Sequence, residues 1–265
     1  MEEQNATGWE APPPPELIPK EEPEMSEVQT LGSIFFEPGR TFQDLRRKPR
    51  FIAALVIISL LVMAYVMGLH MKFGEQGMRQ AIAEQMDRNE RTASLTPEQK
   101  QGAIDMQMKI SSFTRYLVPV FVIIAMVIGG LIYWLAAKAF GGSGGFMHAF
   151  SVWVYSSFPP TVVSMVASLI VLVFKSTDNI DLAASQKGLI TANPSMFIDG
   201  NANPVVGTLL ATFDLFLIWG WVLAAIGLRI TNRLSSGSAW AIVLILALVS
   251  TTLRVVGALF SGTVN

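Results

Sequence analysis

Two charges interrupt otherwise apolar stretches, Asp214 in LLATFDLFLIWGW and Arg254 in LVSTTLRVVGALF. An ionised group in hydrocarbon is costly unless it is paired or hydrated, so such residues mark a ligand or ion path or a structural clamp. At 1.5 Å per residue both fall roughly 12 Å from the outer ends of their spans. Antiparallel neighbours would bring them to one depth, where they are expected to face each other or a shared wet cavity suited to a headgroup, an ion or a small solute. The plainer alternative is that both snorkel or clamp helices together. A second group is Tyr155, Ser156 and Ser157, followed by Pro159 and Pro160. Proline removes a helical hydrogen bond and clashes with the carbonyl one turn back. Carbonyls freed in lipid need new partners. This stretch is therefore the candidate hinge or cavity wall, against the alternative of a kinked packing helix. Gly141, Gly142, Gly144 and Gly145 lead into it as a short turn.

Other chemistry is poorly provided for. Cysteine is absent, which removes disulfides, thiolate metal sites and cysteine nucleophiles. The histidines are His70 and His148 alone, too few for a metal cluster. No phosphate-binding lysine loop, zinc helix motif or nucleophile elbow is present. The serines in the spans have no histidine at suitable depth. No catalytic residue, metal or cofactor is expected, and His148 reads as an interface residue beside the glycine turn.

The elements that must position these residues are membrane helices. Of 265 residues 51% are hydrophobic and only 15% charged, where soluble domains carry about 25% charged residues. The net charge of -1 gives no bias toward nucleic acid. Five apolar stretches, at 51–69, 116–140, 150–174, 206–228 and 239–260, are each long enough to cross about 30 Å of hydrocarbon. Pro119 falls in a first turn, where its missing N–H costs little. Gly129 and Gly130 permit close helix approach, as do Gly220, Ala224 and Gly227. The segments at 40–50, 138–148 and 229–237 hold eight Lys or Arg, against Lys175 and Lys187 in the loop at 175–204. The basic side is inside. The expected fold is an all-α, polytopic bundle of five transmembrane helices, N-terminus cytoplasmic and C-terminus external.

Three further regions complete the chain. Residues 1–30 hold eight glutamates and one lysine with a proline run, and read as a disordered acidic tail. This tail is unlike a secretory signal, so the first span is expected to act as an uncleaved insertion signal. Residues 31–50 carry Phe35, Phe36 and Phe42 with Arg46, Arg47, Lys48 and Arg50, a composition suited to the headgroup layer. Thr41 is the expected cap of a short helix there, with Asp44 three residues on. Residues 70–115 form a polar excursion. Met78, Ala81, Ile82 and Met86 make one helical stripe, and Thr96-Pro97-Glu98-Gln99 restarts a helix with a capping box. Two helices packed as a hairpin on the external side are expected, the second running into the next span. Residues 195–198 suggest a short interfacial helix.

Three segments, taken in order, resemble the Yip family of integral membrane proteins in its bacterial branch: LGSIFFEPGRTFQDLRRKPR, GGSGGFMHAFSVWVYSSFPP and DLFLIWGWVLAAIGLRITNRLSSGSAWA. The resemblance covers residues 31–69 and 116–260. It implies a five-helix domain in the cytoplasmic membrane. Eukaryotic members of the family are linked to Rab GTPases, vesicle formation and membrane shape. Rab-type GTPase binding is not carried over, because the basic segment has no GTPase-docking signature. The expected partners are the lipid bilayer, other membrane proteins or a second copy of the chain. The expected role is non-catalytic, organising bilayer or partners. The alternative is a transporter or channel-like protein with a polar site between the third, fourth and fifth spans.

Overall fold

The computed structural model describes residues 22–88, 90–182, 185, 188–198 and 203–261. Among them the regular elements are all helical. Helices α1 (Glu27–Phe36) and α2 (Pro38–Arg47) come first, then α3 (Ile52–Arg88) and α4 (Glu90–Ala93). Next are α5 (Pro97–Thr114), α6 (Val118–Ala139) and α7 (Phe146–Phe174). The chain ends with α8 (Pro204–Ala211), α9 (Leu215–Thr231) and α10 (Ser236–Ser261). Four spans are continuous, on α3, on α5 with α6, on α7 and on α10; α8 and α9 form a fifth when taken together, bent by 45°. The protein is a multi-pass membrane protein.

Helix α7 is the central post, packed against α3, α6 and α9. Glycines let the neighbours close on it. A methyl group at Gly130 of α6 would stand 2.5 Å from Cδ2 of Phe150, and one at Gly129 would stand 2.0 Å from the Trp153 ring. Trp153 in turn meets Tyr133 edge-on at 4.7 Å between centroids. The outward face of α6 is apolar and uncovered, with Phe121, Ile124, Ile128, Leu131 and Leu135 all exposed. Such a face suits lipid rather than water.

The first two helices form a hairpin that belongs to the bundle. Ser26 and Gln29 make a capping box at the start of α1, so ordered structure begins within the stretch read as a disordered tail. The rest of that reading, residues 1–21, lies outside the described residues. Thr41 does not cap α2. Pro38 starts the helix three residues earlier, and the Thr41 hydroxyl donates to the Glu37 carbonyl at 3.0 Å.

At the opposite end α3 continues past its span, broken at Gly74, which adopts φ 64. Its second half packs on α5 through Ile82, Met86 and Ile104, with Arg79 bridged to Asp105 at 2.6 Å. Thr96 and Gln99 complete the capping box that their spacing predicts. One turn of 3-10 helix, Arg115–Leu117, then joins α5 to α6. Two more short 3-10 helices among the described residues cover Thr177–Asn179 and Pro194–Phe197.

Candidate functional site

At the end of the bundle that carries the glycine turn, five segments interlock. Gly141 and Gly144 adopt φ 78 and φ 113, the left-handed region that glycine enters without steric cost. The turn they allow leans on the one between α9 and α10: the Ser143 amide donates to the Asn232 carbonyl at 2.9 Å. A methyl at Gly142 would meet the Ala137 carbonyl at 2.8 Å and the Asn232 carbonyl at 3.1 Å. Gly145 precedes α7 as its N-terminal neighbour. Helix α2 seats on the same surface. Phe42 is fully buried, and a methyl at Gly227 would stand 2.8 Å from its ring. Thr231 donates to the Phe42 carbonyl at 3.4 Å, and His148 Nε2 lies 3.2 Å from the Arg46 carbonyl.

A buried ion pair ties down the hairpin. Asp44 and Arg50 pair directly, with side chains only 2% and 9% exposed. The Asp44 carboxylate also accepts the amides of Glu24 at 2.6 Å and Met25 at 3.2 Å, while Arg50 donates to the Met25 carbonyl at 2.6 Å. Phe35 rises to meet Phe158 at 5.9 Å and Trp219 at 6.1 Å between centroids. Phe158 stands twelve residues into α7, about 18 Å along it. The hairpin therefore enters the bundle rather than lying flat upon a surface. Of the residues assigned to a headgroup layer, Phe42 and Arg50 are interior, and Phe35 is partly so. Phe36 (88% exposed), Lys48, Arg46 and Arg47 keep access to the surroundings. Arg47 bridges Glu24 at 2.5 Å.

Midway along α7 the double proline causes no break. The helix runs continuously through Pro159 and Pro160. The Ser156 and Ser157 hydroxyls both donate to the Trp153 carbonyl, at 3.0 and 2.9 Å. Gly220 of α9 packs beside the Ser156 carbonyl, the one that Pro160 deprives of a donor: a methyl on Gly220 would stand 3.5 Å from that oxygen. Tyr155, Ser156, Pro159 and Pro160 are buried and Ser157 is half-buried. Of these, Ser156 and Pro160 pack against Gly220 of α9.

The break within a span falls instead at Asp214. Helix α8 stops at Ala211, the chain bends, and Asp214 caps α9 by accepting the amides of Phe216 at 2.9 Å and Leu217 at 3.4 Å. Its second oxygen accepts from Asn193 Nδ2 at 3.1 Å and the Ala192 amide at 3.4 Å. The loop carrying these residues dips into the bundle. The Leu189 amide donates to Ser168 at 3.0 Å, and the Tyr65 hydroxyl donates to the Ser185 carbonyl at 2.7 Å. The expected encounter of Asp214 with Arg254 is absent: among the described residues no ion pair joins them. The carboxylate is satisfied by amides at a helix N-terminus, which favours negative charge there without a cation. Arg254 stands half-buried on α10, one turn beyond Thr251, whose hydroxyl meets that of Thr212 at 3.4 Å.

The family model of the Yip1 domain matches residues 32–258. The chain belongs to the Yip1 domain family. It is also similar to the membrane protein YknW of Bacillus subtilis (strain 168), 26% identical over 242 residues, covering 91% of this chain and 93% of the relative. No solved structure matches.

The match begins inside α1, so the α1–α2 hairpin is part of the Yip1 domain and not a preface to it. The α3–α5 extension lies within the matched range as well. Reasoning from residue types did not single out Asp44 with Arg50, Phe42 with Gly227, or the Asn232 turn. The available signals were an aspartate amid a basic run and glycines spaced along α9.

Proposed function

We propose that this Yip1 domain is a non-catalytic organiser of the bilayer or of partner membrane proteins, set in a bacterial cytoplasmic membrane with its glycine-turn end inside. The observation that carries the reading is the filled column between Asp214 and the glycine turn. Phe158, Pro159, Pro160, Leu223, Ala224, Val152 and Phe42 occupy it, all buried. A transport path would need a continuous polar cavity along this line. The polar groups nearby are engaged in capping and back-bonding: Asp214 with α9 and the loop, Ser156 and Ser157 with their own helix. What the chain offers to its surroundings is an apolar lipid-facing wall, a basic rim and a long helical extension.

The test is thiol accessibility in this cysteine-free chain. Single cysteines at positions 155 and 157 are treated with a water-soluble maleimide in intact and permeabilised cells, with Lys175→Cys in an exposed loop as the control. Both positions are expected to stay unlabelled under conditions that label the control to completion. Labelling of both at the control's rate would place water in the column and sink the reading in favour of a conduit.

A further inference from the structure

At the end of the bundle opposite the glycine turn, α3 and α5 part around a cleft of about 490 Å³. Its level is set by α7: the Lys72 ammonium donates to the Leu172 carbonyl in the last turn of that helix. His70 and Glu75 of α3 line the cleft from one side, Lys109 of α5 and Arg115 of the 3-10 turn from the other. The volume lies within the range of small-ligand sites, about 300–1,000 Å³. We propose that this cleft binds the headgroup of an aminophospholipid, the phosphate at Arg115 and Lys109 and the primary ammonium at Glu75. It lies outside the filled column that supports the preceding reading, so the two stand or fall separately.

Arg115 is a cation in neutral company. Its guanidinium meets Nε2 of the His70 imidazole and stands 5.0 Å from the centroid of the Tyr116 ring. Its Nε is buried with no hydrogen-bond partner. Among the described residues no carboxylate forms an ion pair with Arg115 or Lys109. A partly buried charge without a counterion is costly, and an anion entering beside it offsets that cost. A phosphate suits the place, because the guanidinium fork matches two of its oxygens and a lysine adds a point charge. Glu75 supplies the opposite sign. Its side chain is 71% exposed, and its ion pair with Arg79, through Oε1, is long at 3.4 Å. Oε2 is left to take the N–H donors of a primary ammonium, which a quaternary ammonium lacks. On an unbroken helix residues five apart point roughly 140° away from each other. The break at Gly74, φ 64, resets that phase, and His70 and Glu75 line one cleft.

The surface of α5 favours a lipid as the source of this zwitterion. Lys109, Ser112 and Arg115 follow at three-residue spacing and so share a face. Ile110, Phe113 and Tyr116 form the next row round, each more than half exposed. An apolar row bordering the cleft gives acyl chains a path toward the uncovered wall of α6. Tyr116 stands at the start of that span, as tyrosines at a membrane–water boundary do.

The experiment titrates the full-length protein, in neutral maltoside micelles, with the dioctanoyl forms of phosphatidylethanolamine, phosphatidylcholine and phosphatidylglycerol and with soluble phosphoethanolamine, read by calorimetry. Phosphatidylethanolamine is expected to bind about tenfold more tightly than either other lipid, the worth of one charge-assisted hydrogen bond. Glu75→Gln, at an exposed side chain, should melt like the parent, lose that preference and keep the affinity for phosphatidylglycerol. Lys109→Gln, also exposed, should weaken all three lipids. Lys175→Gln, exposed at the same end of the bundle and not among the cleft residues, should change none. Equal binding of phosphatidylethanolamine and phosphatidylcholine, an unchanged preference in Glu75→Gln, or parental affinities in Lys109→Gln overturns the site. Phosphoethanolamine binding as tightly as phosphatidylethanolamine overturns the lipid assignment and points to a soluble aminoalkyl phosphate.

Discussion

Replacing Asp44 with alanine is the sharpest test of how the N-terminal hairpin is held. The substitution strands Arg50, whose side chain is only 9% exposed. Breaking a buried pair from one side costs about 3–5 kcal/mol, mostly because the remaining charge has no partner. The Glu24 and Met25 amides lose their acceptor too, and the Met25 bond is buried, which adds to the cost. Three to five kcal/mol is roughly two to nearly four orders of magnitude in the docking equilibrium. The companion variant, Asp44→Ala/Arg50→Met, removes the stranded charge and should recover at least about 2 kcal/mol of the single-variant loss. Equilibrium unfolding in mixed micelles of increasing SDS content measures both. Trypsin cleavage after Arg46 or Arg47 separates local release of the hairpin from global unfolding. Raising salt to about 0.5 M should change neither cost by much, because buried pairs are poorly screened. A loss below about 1 kcal/mol, the range of exposed pairs, or a double variant no better than Asp44→Ala, would refute the argument.

Two more outcomes follow from the packing. Gly130→Ala should destabilise by about 1–3 kcal/mol through overpacking, since the added carbon meets the Phe150 backbone at 3.0 Å. Gly102→Ala on α5, with nothing within 4 Å, should instead stabilise by up to about 1 kcal/mol through helix propensity; thermal melts of the two variants side by side give the sign. Asp214→Ala should cost about 0.5–2 kcal/mol for the lost cap and speed proteolysis of the loop around Asn193. Arg254→Ala, with no ion-pair partner among the described residues, should stay within about 0.5 kcal/mol of the parent. A large loss at Arg254 with a small one at Asp214 would reverse their assigned roles.

The spans were legible because hydropathy and length are enough to define them, and the Thr96 capping box because its four residues are local. The break in the fourth span was not foreseen, for a reason that Asp214 makes plain. Reading an aspartate in an apolar run as a charge in search of a cation ignores the amides immediately after it, which are the nearest donors. The candidate hinge was placed at Pro159 and Pro160 because proline removes a helical hydrogen bond and crowds the preceding turn. There the helix runs on through both prolines, with Gly220 of α9 beside the Ser156 carbonyl that Pro160 leaves without its helical donor. Phe42 was read as a lipid anchor because an aromatic beside arginines has that composition in any membrane surface segment. Its seat depends on Gly227, some 185 residues later in the chain, and no local pattern encodes a contact of that separation. The candidate site was thus legible in its residue types, and much less so in its pairings.

That separation has a consequence for biogenesis. The α1–α2 hairpin leaves the ribosome first, yet the surface it needs is written near the far end of the message. At roughly 5–20 residues per second, translation from Phe42 to Gly227 takes about 10–40 s. Throughout that time Asp44 and Arg50 can pair, but Phe42 has no glycine to rest on. The hairpin is therefore a late-closing latch on an early-emerging segment, and whatever holds the nascent N-terminus during those seconds decides whether the helices after it assemble around a free seat or a blocked one.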